Sequence, residues 1–285
     1  MMTKILFALA FVVAAPFIGG LLAGIDRVIT ARMQSRKGPP IFQPFYDVGK
    51  LLSKRTLTVN NFQNFYIVSF LVFIIITGAL FFAGGDLLLV IFALTVASVF
   101  FVLGAYSANS PYSVIGAERE LLQMMAYEPM VIIAALGMFA VTGSFKVGAI
   151  ASFDKPLIMY LPGIFIGFLY ILTIKLRKSP FDLSTSHHGH QELVKGITTE
   201  FSGTTLALVE IAHWYENVML LGFIYLFFAF NPAIAIAAVA AAYFFEVFID
   251  NSFSRLTWHY TVKASWIVAL VVGVTNFIVL KLFIR

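Results

Sequence analysis

The sequence predicts an all-α polytopic membrane protein of about eight transmembrane helices, with an amphipathic interfacial helix in the first cytoplasmic loop. Three observations carry that expectation. Only 12% of the 285 residues are charged and 60% are hydrophobic, about half the charge of a soluble domain, which carries roughly 25%. The mean hydropathy is +0.93, so the bilayer itself must solvate much of the apolar surface. Apolar runs of about 20 residues, the length that crosses a ~30 Å hydrocarbon core, recur along the whole chain. The expected spans are 4–25, 64–83, 86–106, 117–142, 157–176, 204–229, 232–250 and 264–284, and residues 1–285 read as a single integral membrane domain.

The first run starts behind a single lysine and shows no clear cleavage site, so it reads as a retained helix rather than a signal peptide. The loop after it, "RVITARMQSRKGPPIFQPFYDVGKLLSKRTLTV", places Ile41, Phe42, Phe45, Val48, Leu51 and Leu52 at helical spacing, with Asp47, Lys50 and Lys54 on the other face. That pattern suits a helix lying in the interface. Pro39, Pro40 and Pro44 interrupt any transmembrane continuation before it. The loop serves either as a basic contact with anionic lipid or as a platform for a cytoplasmic partner.

Charge distribution sets the orientation. Fourteen of the nineteen Lys and Arg residues fall in the odd-numbered connections, which the positive-inside rule assigns to the cytoplasm, with both termini outside.

The fourth span contains "GAERELLQMMAYEPM". Glu118, Arg119 and Glu120 stand at its edge, and Glu128 lies about two turns deeper, within about 80° of Glu120 around the helix. A carboxylate inside a span costs about 2.5–3.5 kcal/mol, so Glu128 must be protonated, paired or facing water. The sixth span contains "TEFSGTTLALVEIAHWYENVML", with Glu200 at its start and Glu210, His213 and Glu216 three residues apart. Such a series climbs one helix face with drift and can serve as a proton relay, or one of its acids can pair with a base on a neighbouring helix. Glu246 and Asp250, one turn apart, are secondary candidates. The expected ion pathway is therefore Glu120, Glu128, Glu200, Glu210, His213 and Glu216.

The fifth connection, "KSPFDLSTSHHGHQELVKGITTEFSG", is out of character with its surroundings. His187, His188 and His190 lack a firm zinc-ligand spacing, and contact with a protein partner fits them better than a metal. The chain has no cysteine, so it has no thiolate for an iron–sulfur cluster or a cysteine-held metal. We expect no cofactor in this chain; the net charge of +5 follows the loops and carries no nucleic-acid signal.

Together these motifs resemble the membrane subunit that forms the quinone chamber of respiratory complex I, and more closely its counterpart in energy-converting (Ech-type) group 4 NiFe hydrogenases. The resemblance rests on Gly38, Pro39, Gln43, Pro44, Asp47, Lys50 and Leu51 in the first loop; on Gly116, Arg119, Gln123, Met124, Tyr127 and Glu128; and on Pro180 to Asp182, Glu192 to Val194 and Glu200 to Gly203. It departs from the quinone-type pattern in a shorter first loop and in "STSHHGHQE", where acids are typical. The resemblance implies docking through Arg32, Arg36, Gln43, Asp47, Lys50, Arg119, Asp182, His187, His188, His190 and Glu192.

It also implies the partners: hydrogenase large and small subunits carrying the NiFe centre and an iron–sulfur cluster, a ferredoxin-like iron–sulfur subunit, and an antiporter-like membrane subunit, all set in the lipid bilayer. Ferredoxin-linked hydrogen evolution or uptake would then drive proton or sodium translocation. Moving one charge against ~150 mV costs about 3.5 kcal/mol, which a two-electron drop of about 75 mV supplies. The alternatives are a quinone-binding subunit of a complex I-type oxidoreductase, a stand-alone ion or solute transporter, and a passive anchor.

Overall fold

In the computed structural model the described residues are 2–58, 60–181, 184–185 and 195–283. Among them the chain is all-helical, apart from a lone antiparallel bridge between Asp86 and Lys146. In chain order the helices are α1 (Met2–Met33), α2 (Gln43–Leu52), α3 (Asn61–Phe82), α4 (Leu87–Tyr106), α5 (Pro111–Thr142), α6 (Val147–Ala151), α7 (Leu157–Tyr160), α8 (Pro162–Lys175), α9 (Gly203–Phe227), α10 (Pro232–Ser252), α11 (Trp258–Ile267) and α12 (Thr275–Phe283). A π-helical segment, Val268–Val274, joins the last two into one continuous rod.

Among the described residues six helical runs are long and apolar enough to cross a membrane: α1, α3, α4, α5, α10 and the α11–α12 rod. Local chemistry sets their ends. The Asn60, Asp86 and Asn231 side chains accept from the first free amides of α3, α4 and α10, the capping that orphan N–H groups require. Proline opens α5 and α10, where its missing N–H costs nothing. The sequence places the first span at 4–25 and the fourth at 117–142; the helices are longer, and each carries a proline inside it, Pro16 and Pro129.

Two expected spans differ in kind. The run 157–176 is split at Leu161, because Pro162 cannot extend the short α7. What remains, α8, has 14 residues, or about 21 Å at 1.5 Å per residue, less than a ~30 Å core. Its free N-terminus is capped from α12, where Asn276 Oδ1 accepts the Ile164 amide at 3.0 Å. The run 204–229 forms α9, long enough at 25 residues but carrying Glu210, His213 and Glu216.

The helix in the first loop is present as α2. Its buried side, Pro44 and Val48, is covered by protein rather than left open: Val48 packs with Ala207 and Trp214 of α9, and Phe45 lies 5.2 Å from the Trp214 ring. The core of the bundle is built from α3, α4, α5, α8 and α9, with stacked rings such as Phe70–Phe101 (4.9 Å) and Phe81–Phe223 (5.0 Å).

The connections α1–α3, α4–α5, α8–α9 and α10–α11 gather at one end of the bundle, called here the loop end. They lock onto one another there. The Leu57 amide donates to Ser202 Oγ at 3.0 Å and the Leu256 amide to the Pro180 carbonyl at 3.1 Å. Residues 196–198 lie so close to α5 that a Cβ on Gly116 would fall 2.1 Å from the Ile197 nitrogen. Only glycine allows that approach. We expect Gly116→Ala to lift this segment from α5, read as faster limited proteolysis between α8 and α9 in the detergent-purified protein. An unchanged cleavage rate would show that the segment simply shifts to make room.

Candidate functional site

The early stop of α8 creates the site. Lys175, Arg177 and Lys178 follow an apolar run that ends short, so they stay among the helices and meet carboxylates there. Lys175 Nζ lies 2.7 Å from Glu216 Oε1 of α9, with side-chain exposures of 8% and 6%. The same ammonium donates to the Tyr127 hydroxyl at 3.0 Å and stands 4.5 Å from that ring's centroid. Arg177 Nη2 donates to Glu120 Oε1 at 3.0 Å, and its guanidinium lies 5.1 Å from the Phe101 ring. Lys178 Nζ bonds Asp26 of α1 and approaches Asp250 Oδ2 of α10 at 3.4 Å.

Deeper in, the Thr95 hydroxyl of α4 donates to Glu128 Oε1 at 3.0 Å. Between this carboxyl and the Lys175 group lies a cavity of about 20 Å³ whose polar lining is Thr95, Tyr127, Glu128 and Lys175. The volume suffices for one water, which needs roughly 10–15 Å³, while the exposed wall is almost wholly apolar. Polar contacts thus run from Glu216 through Lys175 and Tyr127 to the cavity, Glu128 and Thr95, crossing α9, α8, α5 and α4. A salt-bridged ammonium and a phenol face, across the cavity, a carboxyl held by a single hydroxyl.

The expected pathway residues are distributed as follows. Glu120, Glu128 and Glu216 join this string or its neighbouring pair with Arg177. His213 turns its ring edge to Phe70 and Phe101, at 5.9 and 5.7 Å. A step of three residues leaves about 60° of drift, so Glu210 points about 120° away from Glu216. Glu216 reaches α8, at Lys175. Glu200 stands just before α9, its carbonyl accepting from Gln63 Nε2 at 3.4 Å.

Among the docking candidates, Asp47 accepts from Arg27 at 2.6 Å and from Gln43 at 3.0 Å, tying α2 to α1. Partial burial pushes its carboxyl up, but hydrogen bonds from Arg27 and Gln43, with the charges of Arg27 and Lys50, hold it below the ordinary carboxylate range. Arg32, Arg36 and Lys50 are exposed, Arg36 bonding Gln34. Arg119 lies 5.6 Å from the Trp258 ring. Asp182, His187, His188, His190 and Glu192 lie outside the described residues. Among the described residues no three His, Asp or Glu side chains converge as metal ligands.

Sequence reading missed Lys175, Arg177, Lys178, Thr95 and Asp26 as site residues. The three bases read as loop charges that set orientation. The signal was present in the number of acids in neighbouring spans, some of which a buried base can pair.

Removing one member of a buried ion pair typically costs about 3–5 kcal/mol, because the other charge is left bare. We expect Glu216→Gln and Lys175→Met each to lower thermal stability in detergent clearly, and the double variant to recover much of the loss. Additive losses would show that the pair is not coupled. The depressed Asp47 carboxyl has a sign of its own: its bond to Arg27 is fully present above the unfolded value, about 4, and is lost as pH falls through the lower folded one. Docking of α2 on α1, followed by crosslinking between them, should therefore hold unchanged from about pH 5 upward and weaken only in strong acid. Loss near neutrality would contradict this.

Residues 4–281 match the family model described as NADH dehydrogenase. The chain is 31% identical over 247 residues to hydrogenase-4 component C of Escherichia coli (strain K12), covering 80% of this chain and 77% of that protein. It is 25% identical over 276 residues to formate hydrogenlyase subunit 4 of the same organism, covering 86% and 89%. With an NADH-quinone oxidoreductase subunit of Carboxydothermus hydrogenoformans it shares 30% over 237 residues, covering 75% and 67%. Its fold superposes with a TM-score of 0.84 and 25% identity on a chain of the membrane-bound sulfane sulfur reductase, an archaeal respiratory membrane complex, covering 96% of this chain and 99% of that one. The chain belongs to the NADH dehydrogenase family, as a membrane subunit of a hydrogenase or complex I-like redox complex.

Proposed function

We propose that this chain is the membrane subunit of an energy-converting NiFe hydrogenase, docking the peripheral redox arm and passing its free energy to proton or sodium translocation. The observation that carries this reading is the buried string from Glu216 to Thr95, which begins beside the α8–α9 connection and ends at a water-sized cavity. An anchor has no use for so many desolvated charges. Six apolar runs together with α8 and α9 give eight spans; the loop end is cytoplasmic and both termini lie outside, following the basic residues of its connections.

In this arrangement Arg32, Arg36, Gln43, Asp47, Lys50 and Arg119, with Asp182, His187, His188, His190 and Glu192, face the hydrogenase large and small subunits. The metal chemistry stays in those partners, with ferredoxin as the electron donor or acceptor. Glu120, Glu128, Glu200, Glu210, His213 and Glu216 respond to the redox event and hand the charge movement to an antiporter-like neighbour. Likeness to hydrogenase-4 component C and formate hydrogenlyase subunit 4 favours hydrogen as the product. A second reading, in which the arm reduces a sulfur compound, is favoured by the sulfane sulfur reductase superposition.

The test is to purify the complex through a tag on this chain and assay metals with ferredoxin-dependent hydrogen evolution. Nickel, iron and hydrogen evolution together support the hydrogenase. Iron without nickel, with electrons delivered to polysulfide or to a quinone, moves the assignment to a sulfur or quinone reductase. In the assembled complex, Glu128→Gln or Glu210→Gln should cut ion transport several-fold while subunit composition stays intact. Normal pumping by either variant would remove that residue from the pathway.

A further inference from the structure

Glu246 of α10 is wholly enclosed, with 0% exposure, and neither carboxyl oxygen has a well-formed hydrogen bond among the described residues. The hydroxyl beside it is that of Thr173 on α8, a weak donor to Glu246 that also lies 3.4 Å from the Leu169 carbonyl. A carboxylate with no solvent exposure and only a weak hydroxyl donor is costly to keep charged, so this conformation favours the protonated acid.

One turn nearer the loop end on the same face, Asp250 Oδ1 accepts the Ser179 amide at 2.8 Å, while Lys178 bridges Asp250 and Asp26. Asp26 Oδ1 is also buried without a hydrogen-bond partner. Two carboxylates, on α1 and α10, thus share one lysine, and Glu246 stands one turn further along α10 from the second of them. On the other side, the Tyr243 hydroxyl is committed to the Leu22 carbonyl at 3.0 Å, which closes the path toward α1. The carboxylates do not converge as ligands for a metal ion. A proton fits where a metal cation does not.

We propose that Glu246 is a proton-loading site whose charge sets the position of Lys178, and through it the 178–181 segment. A proton from water at the loop end, passed by way of Asp250, binds a Glu246 oxygen and leaves a neutral acid; Lys178 then rests between Asp26 and Asp250, as seen here. When the proton returns by the same route, Glu246 becomes an anion and draws the Lys178 ammonium inward, away from Asp26. Lys178 leads directly into Phe181, whose carbonyl accepts from Gln123 of α5 at 3.0 Å. The movement is therefore felt on the helix that carries Glu120 and Glu128. This inference rests on the reading that the membrane part responds to charge.

The test uses the intact purified complex. Infrared difference spectra between acid and alkaline buffer should show a deuterium-sensitive carboxylic-acid carbonyl band that Glu246→Gln abolishes and Lys178→Met shifts. Amide exchange over residues 176–181, corrected for intrinsic rates, should rise several-fold with pH in the native complex and lose that rise in both variants. Retention of the whole band in Glu246→Gln would overturn the proposal. A lost band with an unchanged exchange response would overturn it too, leaving a static buried acid; should Glu246→Gln fail to assemble, Lys178→Met alone decides through the same two readouts. Neither readout needs hydrogen evolution, so a complex that evolves none yet shows both effects refutes the hydrogenase assignment and leaves this one standing.

Discussion

The bond between Lys175 and Glu216 is the constraint from which the rest of the bundle's polar interior follows. An ammonium at that depth stays charged only beside a carboxylate, and the 2.7 Å contact fixes α8 against α9. Once Lys175 is held there, its second bond brings Tyr127 and hence α5 into register. The cavity beside Glu128 is then bounded on one side by groups already committed to one another, and elsewhere by apolar side chains.

The neighbouring bases extend the same principle sideways. Arg177 selects Glu120 on α5, and Lys178 selects Asp26 on α1 and Asp250 on α10. Three of the four residues 175–178 thus bind side chains of four different helices. A pull on the α8–α9 connection cannot move one helix alone. The loop in which the sequence concentrates its unusual residues is therefore joined to the interior by ion pairs, which respond to charge, rather than only by apolar contacts, which do not.

The composition and the run lengths made the all-helical membrane fold legible, and the caps at Asn60, Asp86 and Asn231 stand where apolar runs begin. The acids were legible as well, because a carboxylate in an apolar run is conspicuous. Their partners were hidden by depth. Lys175, Arg177 and Lys178 look like an ordinary basic flank unless one knows that Pro162 has cut the preceding helix short. The series Glu210, His213 and Glu216 shows the second limit: spacing gives relative angle, but which member faces a base depends on the neighbours, and only packing decided for Glu216. Glu246 gave no local signal of its isolation, since that follows from packing.

The brevity of α8 has an electrical consequence. At 14 residues it fills about 21 Å of a ~30 Å hydrocarbon layer. In the eight-span arrangement, polar groups and a water-sized cavity thin the insulating layer along this line. The membrane voltage then falls over a shorter distance here than through lipid. Each ångström of a charge displacement between Lys175 and Glu128 would therefore cross about one and a half times the potential that it would elsewhere, out of a total of about 2.3 kcal/mol per charge per 100 mV. Shortening one helix makes the interior a place where small displacements do large electrical work.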